Sequence, residues 1–333
     1  MLGAALALSD VGRSLPPGYN GQMRTPTIAL TSFALAALLA SGVATAQPPA
    51  PAATDVVAQA RKLTSAGKLD EATTMLRGAL EAKPDQWDAH NLLGAIFDLQ
   101  GDYSTARTHL QRAIDLAPEA SKPQSRVAMA ISYAFESKAQ DAARFYQPIY
   151  DARIAAGTFT TAGEAANAIA RIYLESGDAA NALKWYKAGY DAALRQPDLT
   201  AAQRDLAEMR WHNAQARVAA RQGRTEEARE HVAEARKVFD KGTNPEQAEF
   251  MPYLLGYVAY YAKKYDEAIA ELKKANLNDP FILVLLAQAL EKKGEKAAAQ
   301  EYYQKILTIN SHNIQNAFAR PIAKRAAGRG PSA

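Results

Sequence analysis

Three sets of side chains recur at intervals of four: Asn167 with Arg171; Asn213 with Arg217 and Arg221; and Tyr253 with Tyr257 and Tyr261. On a helix, residues four apart share one face. A guanidinium grips a carboxylate through two parallel hydrogen bonds, and a tyrosine offers apolar area with a polar tip. Such faces would form an Arg/Asn floor beside a Tyr wall, suited to an acidic or C-terminal peptide segment. A plainer reading stands beside it. The tyrosines pack between neighbouring elements, and the arginines pair with Glu164, Glu175 or Glu208 on adjacent turns.

Other chemistry is poorly represented. There is no phosphate-binding GxxxxGK[ST], no GxSxG elbow, no HExxH and no calcium loop. The five histidines, His90, His109, His212, His231 and His312, fall in different helical stretches, and no two have the close spacing of a metal pair. They read as half-buried or surface helix residues, so no metal and no cofactor is expected. Acid pairs such as Glu226-Glu227 sit at a helix start, where the dipole favours them. No cluster of titrating groups argues for catalysis.

The 333 residues are 48% hydrophobic and 22% charged, which is a folded composition. No Cys is present, which excludes disulfides, thiolate zinc sites, Cys nucleophiles and a lipidated N-terminal Cys. The net charge is +4, and Arg320, Lys324, Arg325 and Arg329 supply much of it. We read them as a solvated terminus, with no nucleic-acid partner expected.

The uncharged run from Ile28 to Ala46 follows Arg24 and closes on Ala44-Thr45-Ala46. This is the pattern of a secretory signal peptide cut after Ala46. Met23 is then the expected start, which makes residues 1–22 misread upstream sequence. Residues 47–53, rich in Pro and Ala, form a linker. Export without Cys fits a bacterial periplasm or exterior. The rival reading is an uncleaved anchor, in which case the chain is a membrane-tethered structural subunit of a larger envelope complex and touches the membrane there.

Between Trp87 and Pro118 stand Leu93-Gly94, Phe97, Gly101-Asp102-Tyr103, Ala106, Leu110 and Ala113, two short helices around a Gly break. This unit resembles a tetratricopeptide repeat, a helix–turn–helix of 34 residues. Seven such units can be aligned. Their eighth positions are Ala60, Gly94, Ala130, Ala170, Ala216, Gly256 and Ala287; their twentieth are Ala72, Ala106, Ala142, Ala182, Ala228, Ala268 and Ala299. All are Gly or Ala, as the close approach of two helices demands. The break carries Gly67, Gly101, Gly177, Gly223 and Gly294, but Ser137 and Lys263 in units three and six. Units three to five run longer than 34 residues.

The resemblance implies an all-α, right-handed solenoid of about seven hairpins over residues 54–310. A capping helix at 311–327, covering the last repeat, and a disordered tail at 328–333 follow. Pro148 should bend its helix, and Pro321 should kink or split the cap. It also implies a non-catalytic scaffold that takes a protein or peptide in a concave groove lined by each first helix. Groove-facing positions add Arg210 and Tyr260 to the spaced sets above. Val57 and Arg61 depart from the Lys and Asn of the chaperone-tail clamp, which puts that partner in doubt. Envelope assembly is the expected setting.

Overall fold

The computed structural model describes residues 53–328. The expected leader and most of the linker and tail lie outside these residues; Ala53 opens the first helix. Fifteen α-helices are present among the described residues, and no strand. Fourteen of them form seven consecutive hairpins. These are α1 (Ala53–Ser65) with α2 (Leu69–Ala82), α3 (Trp87–Gln100) with α4 (Tyr103–Leu116), and α5 (Lys122–Phe135) with α6 (Ala139–Ala155). Then come α7 (Phe159–Glu175) with α8 (Ala179–Leu194), α9 (Ala201–Arg221) with α10 (Thr225–Phe239), α11 (Phe250–Tyr261) with α12 (Tyr265–Leu272), and α13 (Pro280–Lys293) with α14 (Lys296–Leu307). A short 3₁₀ turn, Pro245–Glu249, precedes α11. The extra length of units three to five lies in their helices, of which α9 is the longest at 21 residues, and in the connection 240–249 that leads to α11.

The small columns explain the pairing. The twelve alanines in them are at most 1% exposed, and Gly94 and Gly256 are buried too. A Cβ on Gly256 would stand 2.6 Å from Leu272 Cγ on the partner helix. The helices therefore pack at a distance that only narrow side chains allow. Every break residue takes a positive φ, Ser137 and Lys263 included, at 58° and 60°. The hairpin geometry thus overrides the cost of a left-handed non-glycine.

Neither proline splits its helix. α6 runs unbroken through Pro148, and α15 (Ile314–Ala327) runs unbroken through Pro321. A proline removes one helical hydrogen bond; buried neighbours hold the rest of the helix in place, among them Phe318, Ala319, Arg320 and Ala323 on α15. α15 also does more than cap. It packs on α13 and α14, and in addition on α5 and α7. Arg320 Nε donates to Leu99 O at 2.9 Å, and Lys324 Nζ donates to Leu99 O and Gln100 O at 3.0 and 2.7 Å. These are the last carbonyls of α3, which a helix leaves unpaired and partly negative. His312 Nε2 lies 2.8 Å from Asp98 Oδ2, and its ring stacks on Phe135. The C-terminal helix therefore joins the last repeat to the second, third and fourth.

Candidate functional site

The four-spaced faces of α7, α9 and α11 meet inside the array. Arg217 is 7% exposed; its Nε donates to Asn213 Oδ1 at 2.9 Å and its Nη2 to Tyr186 OH at 3.0 Å. Arg221 donates to Leu174 O, to Glu175 O and to Tyr261 OH, again serving the free carbonyls at a helix end, here α7. Its Nη2 lies 3.8 Å from Glu175 Oε2. The Arg171 guanidinium rests on the Phe281 ring at 4.7 Å. Tyr253 and Tyr257 are buried, and Tyr260 stands edge-on to Tyr261.

Arg217 and Arg221 are occupied by neighbouring side chains and backbone carbonyls, whereas Arg171 Nε, Glu175 Oε1 and the Tyr253 and Tyr257 hydroxyls have no hydrogen-bond partner among the described residues; all of them line the core. Asn167 and Arg210 lie elsewhere, on a cavity of about 60 Å³ between α7, α8 and α9 with Tyr186, Tyr190 and Trp211. The four repeat-packing residues, Gly94, Ala106, Ala182 and Ala268, are all buried between paired helices. Of the acids weighed as arginine partners, Glu175 approaches Arg221 and Glu208 approaches Lys241 at 3.6 Å.

Burial dominates the electrostatics. It pushes the Glu175 carboxyl up against the pull of Arg221, Arg171 and Arg217. It also pushes the Tyr253 phenol up to about 12, although Arg217 and Arg171 draw it down, and the Tyr260 phenol up to about 12. A phenol held up in the fold favours folding fully below pH 10, its unfolded value, and loses that contribution as pH rises towards 12. Stability should therefore fall by on the order of 2 kcal/mol per such phenol between pH 10 and 12. Urea midpoints across that range, alongside ultraviolet tyrosine titration, check this; a midpoint that stays flat while the phenols ionise contradicts it.

One stretch of the first-helix surface remains open. Arg61 of α1, Asn91 and Leu92 of α3, Gln124 and Ile131 of α5, and His312 line a pocket of about 370 Å³. Asn91 is 9% exposed and its Oδ1 has no hydrogen-bond partner among the described residues. Arg61 forms no ion pair among them and is exposed. Asn91 occupies the fifth position of its repeat and Arg61 the ninth, both groove-facing. Four-residue spacing does not connect them, because they stand on different helices.

The five histidines are half-buried, as expected, but four of them meet in two pairs that four-residue spacing does not show. His90 Nδ1 lies 2.9 Å from His109 Nδ1, and His212 Nδ1 lies 3.3 Å from His231 Nδ1. Both pairs join the fourth and twenty-third positions of a repeat. The signal was available as the shared 19-residue interval. Burial, ahead of all other influences, lowers the basicity of His90, His109 and His212.

Tandem α-hairpins with Gly or Ala at each crossing, closed by a final helix, define a helical-repeat protein. The family model for tetratricopeptide repeats matches residues 57–121, 213–280 and 253–314, together half of the chain, and the chain belongs to that family. Proteins of this family generally mediate protein–protein contacts, and the repeat is typically a non-catalytic scaffold. Among solved structures, a tetratricopeptide repeat protein from Parabacteroides merdae is 13% identical, with a TM-score of 0.49, over 83% of this chain and 97% of that one. The assembly chaperone of RpL4, Acl4, is 19% identical with a TM-score of 0.38, over 75% and 99%. The TPR2AB domain of yeast Sti1, in a pHSP90 complex, is 17% identical with a TM-score of 0.27, over 78% and 97%. No curated protein matches the sequence.

Proposed function

We propose that this chain is an exported, non-catalytic scaffold that docks a protein partner in bacterial envelope assembly, taking an extended acidic segment in the open pocket of the first three repeats. The observation that carries the reading is the unpartnered amide oxygen of Asn91, buried beside an apolar floor with the guanidinium of Arg61 at its rim. A peptide backbone N–H satisfies the amide, and an acidic side chain or terminus satisfies the guanidinium. Export rests on the 28–46 leader pattern. No helix among the described residues is long and apolar enough to cross a membrane.

The test is crosslinking in the native host followed by affinity measurement with the peptide recovered. Arg61→Glu should weaken binding at least tenfold and Asn91→Leu comparably, with melting temperatures unchanged for the exposed Arg61 variant. Unaltered affinity in both variants ends the pocket assignment. Mass spectrometry of the mature chain tests export: a new N-terminus at Gln47 supports it, and an intact leader supports the tethered form instead.

A further inference from the structure

The two histidine pairs have nearly the same geometry and opposite surroundings. Around His90 and His109 stand the cations Arg112 and Arg77, with Asp85 the acid close to His90. His90 Nε2 is 3.1 Å from Pro84 O, so its Nε2–H donates there and its Nδ1 accepts from His109. The 2.9 Å separation is that of an ordinary N–H···N hydrogen bond. Around His212 and His231 the balance reverses. Glu208 lies one turn before His212 on α9, Glu234 lies one turn after His231 on α10, and Lys237 is the cation acting on His212. Both acids interact electrostatically with His212, and Glu234 feels both histidines.

We propose that His212 and His231, with Glu234 and then Glu208 as carboxylate ligands, form a site for a divalent transition ion of the zinc class. The nitrogens are 3.3 Å apart. Two nitrogens each about 2.0–2.1 Å from zinc, in tetrahedral array, stand about 3.3 Å from one another. As the side chains lie, no three such ligands surround one point among the described residues. Glu234 is held by Lys237 at 2.6 Å and Glu208 approaches Lys241 at 3.6 Å, both on open surface. Exposed ion pairs of this kind cost little to break. Coordination then needs a rotamer change at Glu234, a turn of the two imidazoles, and their ring protons on Nε2. Water fills any remaining position. Two imidazoles and a carboxylate are the donor set that zinc accepts, and Arg112 replaces Glu234 at the equivalent place beside His109. The first pair is accordingly the internal control.

The experiment is calorimetric titration of the tag-free full chain with Zn²⁺, paralleled by Co²⁺ to read the visible bands of tetrahedral coordination. The expected result is one ion per chain, with a rise in melting temperature. His231→Gln abolishes it, Glu234→Gln weakens it at least tenfold, and His109→Gln leaves it intact. Melting of each variant without metal shows that the fold survives. Binding that persists in His231→Gln, that is lost equally in His109→Gln, or that is absent from the unaltered chain overturns the proposal.

Discussion

Arg320→Ala lowers stability by about 2–4 kcal/mol, from the loss of charge-assisted hydrogen bonds to buried carbonyls. The side chain is 7% exposed. It donates to Leu99 O at 2.9 Å and to Leu307 O and Ile309 O at 3.0 Å each. Truncation takes the side-chain donor from Leu307 O, a loss of about 1–3 kcal/mol for a buried group, and leaves Leu99 O to Lys324 Nζ and Ile309 O to Asn316 Nδ2. It also removes a link between α15 and the second repeat. Urea unfolding measures the loss, and amide exchange locates it, with protection falling first in α15. Arg320→Lys restores one donor group without the fork and falls between the two. A loss below about 1 kcal/mol would mean that α15 is held by apolar packing alone.

Gly163→Leu is the second large effect, on the order of 3 kcal/mol, from overpacking. A Cβ at Gly163 would meet Gly189 O at 2.8 Å, and one at Gly189 would meet Gly163 O at 3.0 Å. The nearest obstacle to a Cβ at Gly163 is backbone, and at Gly189 the Asn167 side chain at 2.8 Å stands beside the Gly163 carbonyl, so α7 and α8 must separate. Gly78→Ala is the control of opposite sign. Its Cβ meets nothing within 4 Å, and alanine in a helix is better than glycine by about 1 kcal/mol. Thermal melts of the two variants should move in opposite directions; two shifts of the same sign would defeat the close-contact account.

The Gly163–Gly189 crossing also marks a limit of reading by column. Neither residue lies in the eighth or twentieth position, where small side chains were sought. Those two columns were legible because seven repeats sampled the same constraint, and chance alanines do not recur in register. The break residues were legible for the same reason, and Ser137 and Lys263, which stand where the other units have glycine, take a positive φ as the glycines do.

The candidate sites were less legible, because each depends on contacts between repeats. Asn167 and Arg171 share a helix face by spacing, yet the first lines a small cavity and the second lies under Phe281 from a distant helix. Nothing in local periodicity says which neighbour covers a face.

Hydrophobic spacing, the Gly or Ala of each crossing and the left-handed breaks were written in the sequence by itself, since each is a constraint between residues close along the chain. The tertiary structure alone decided that α15 returns to α3, so that Arg320 meets Leu99 across 221 positions, and that four histidines meet in two pairs. Free helix ends and half-buried rings take whatever partner the stacking brings, and stacking is a property of the whole array.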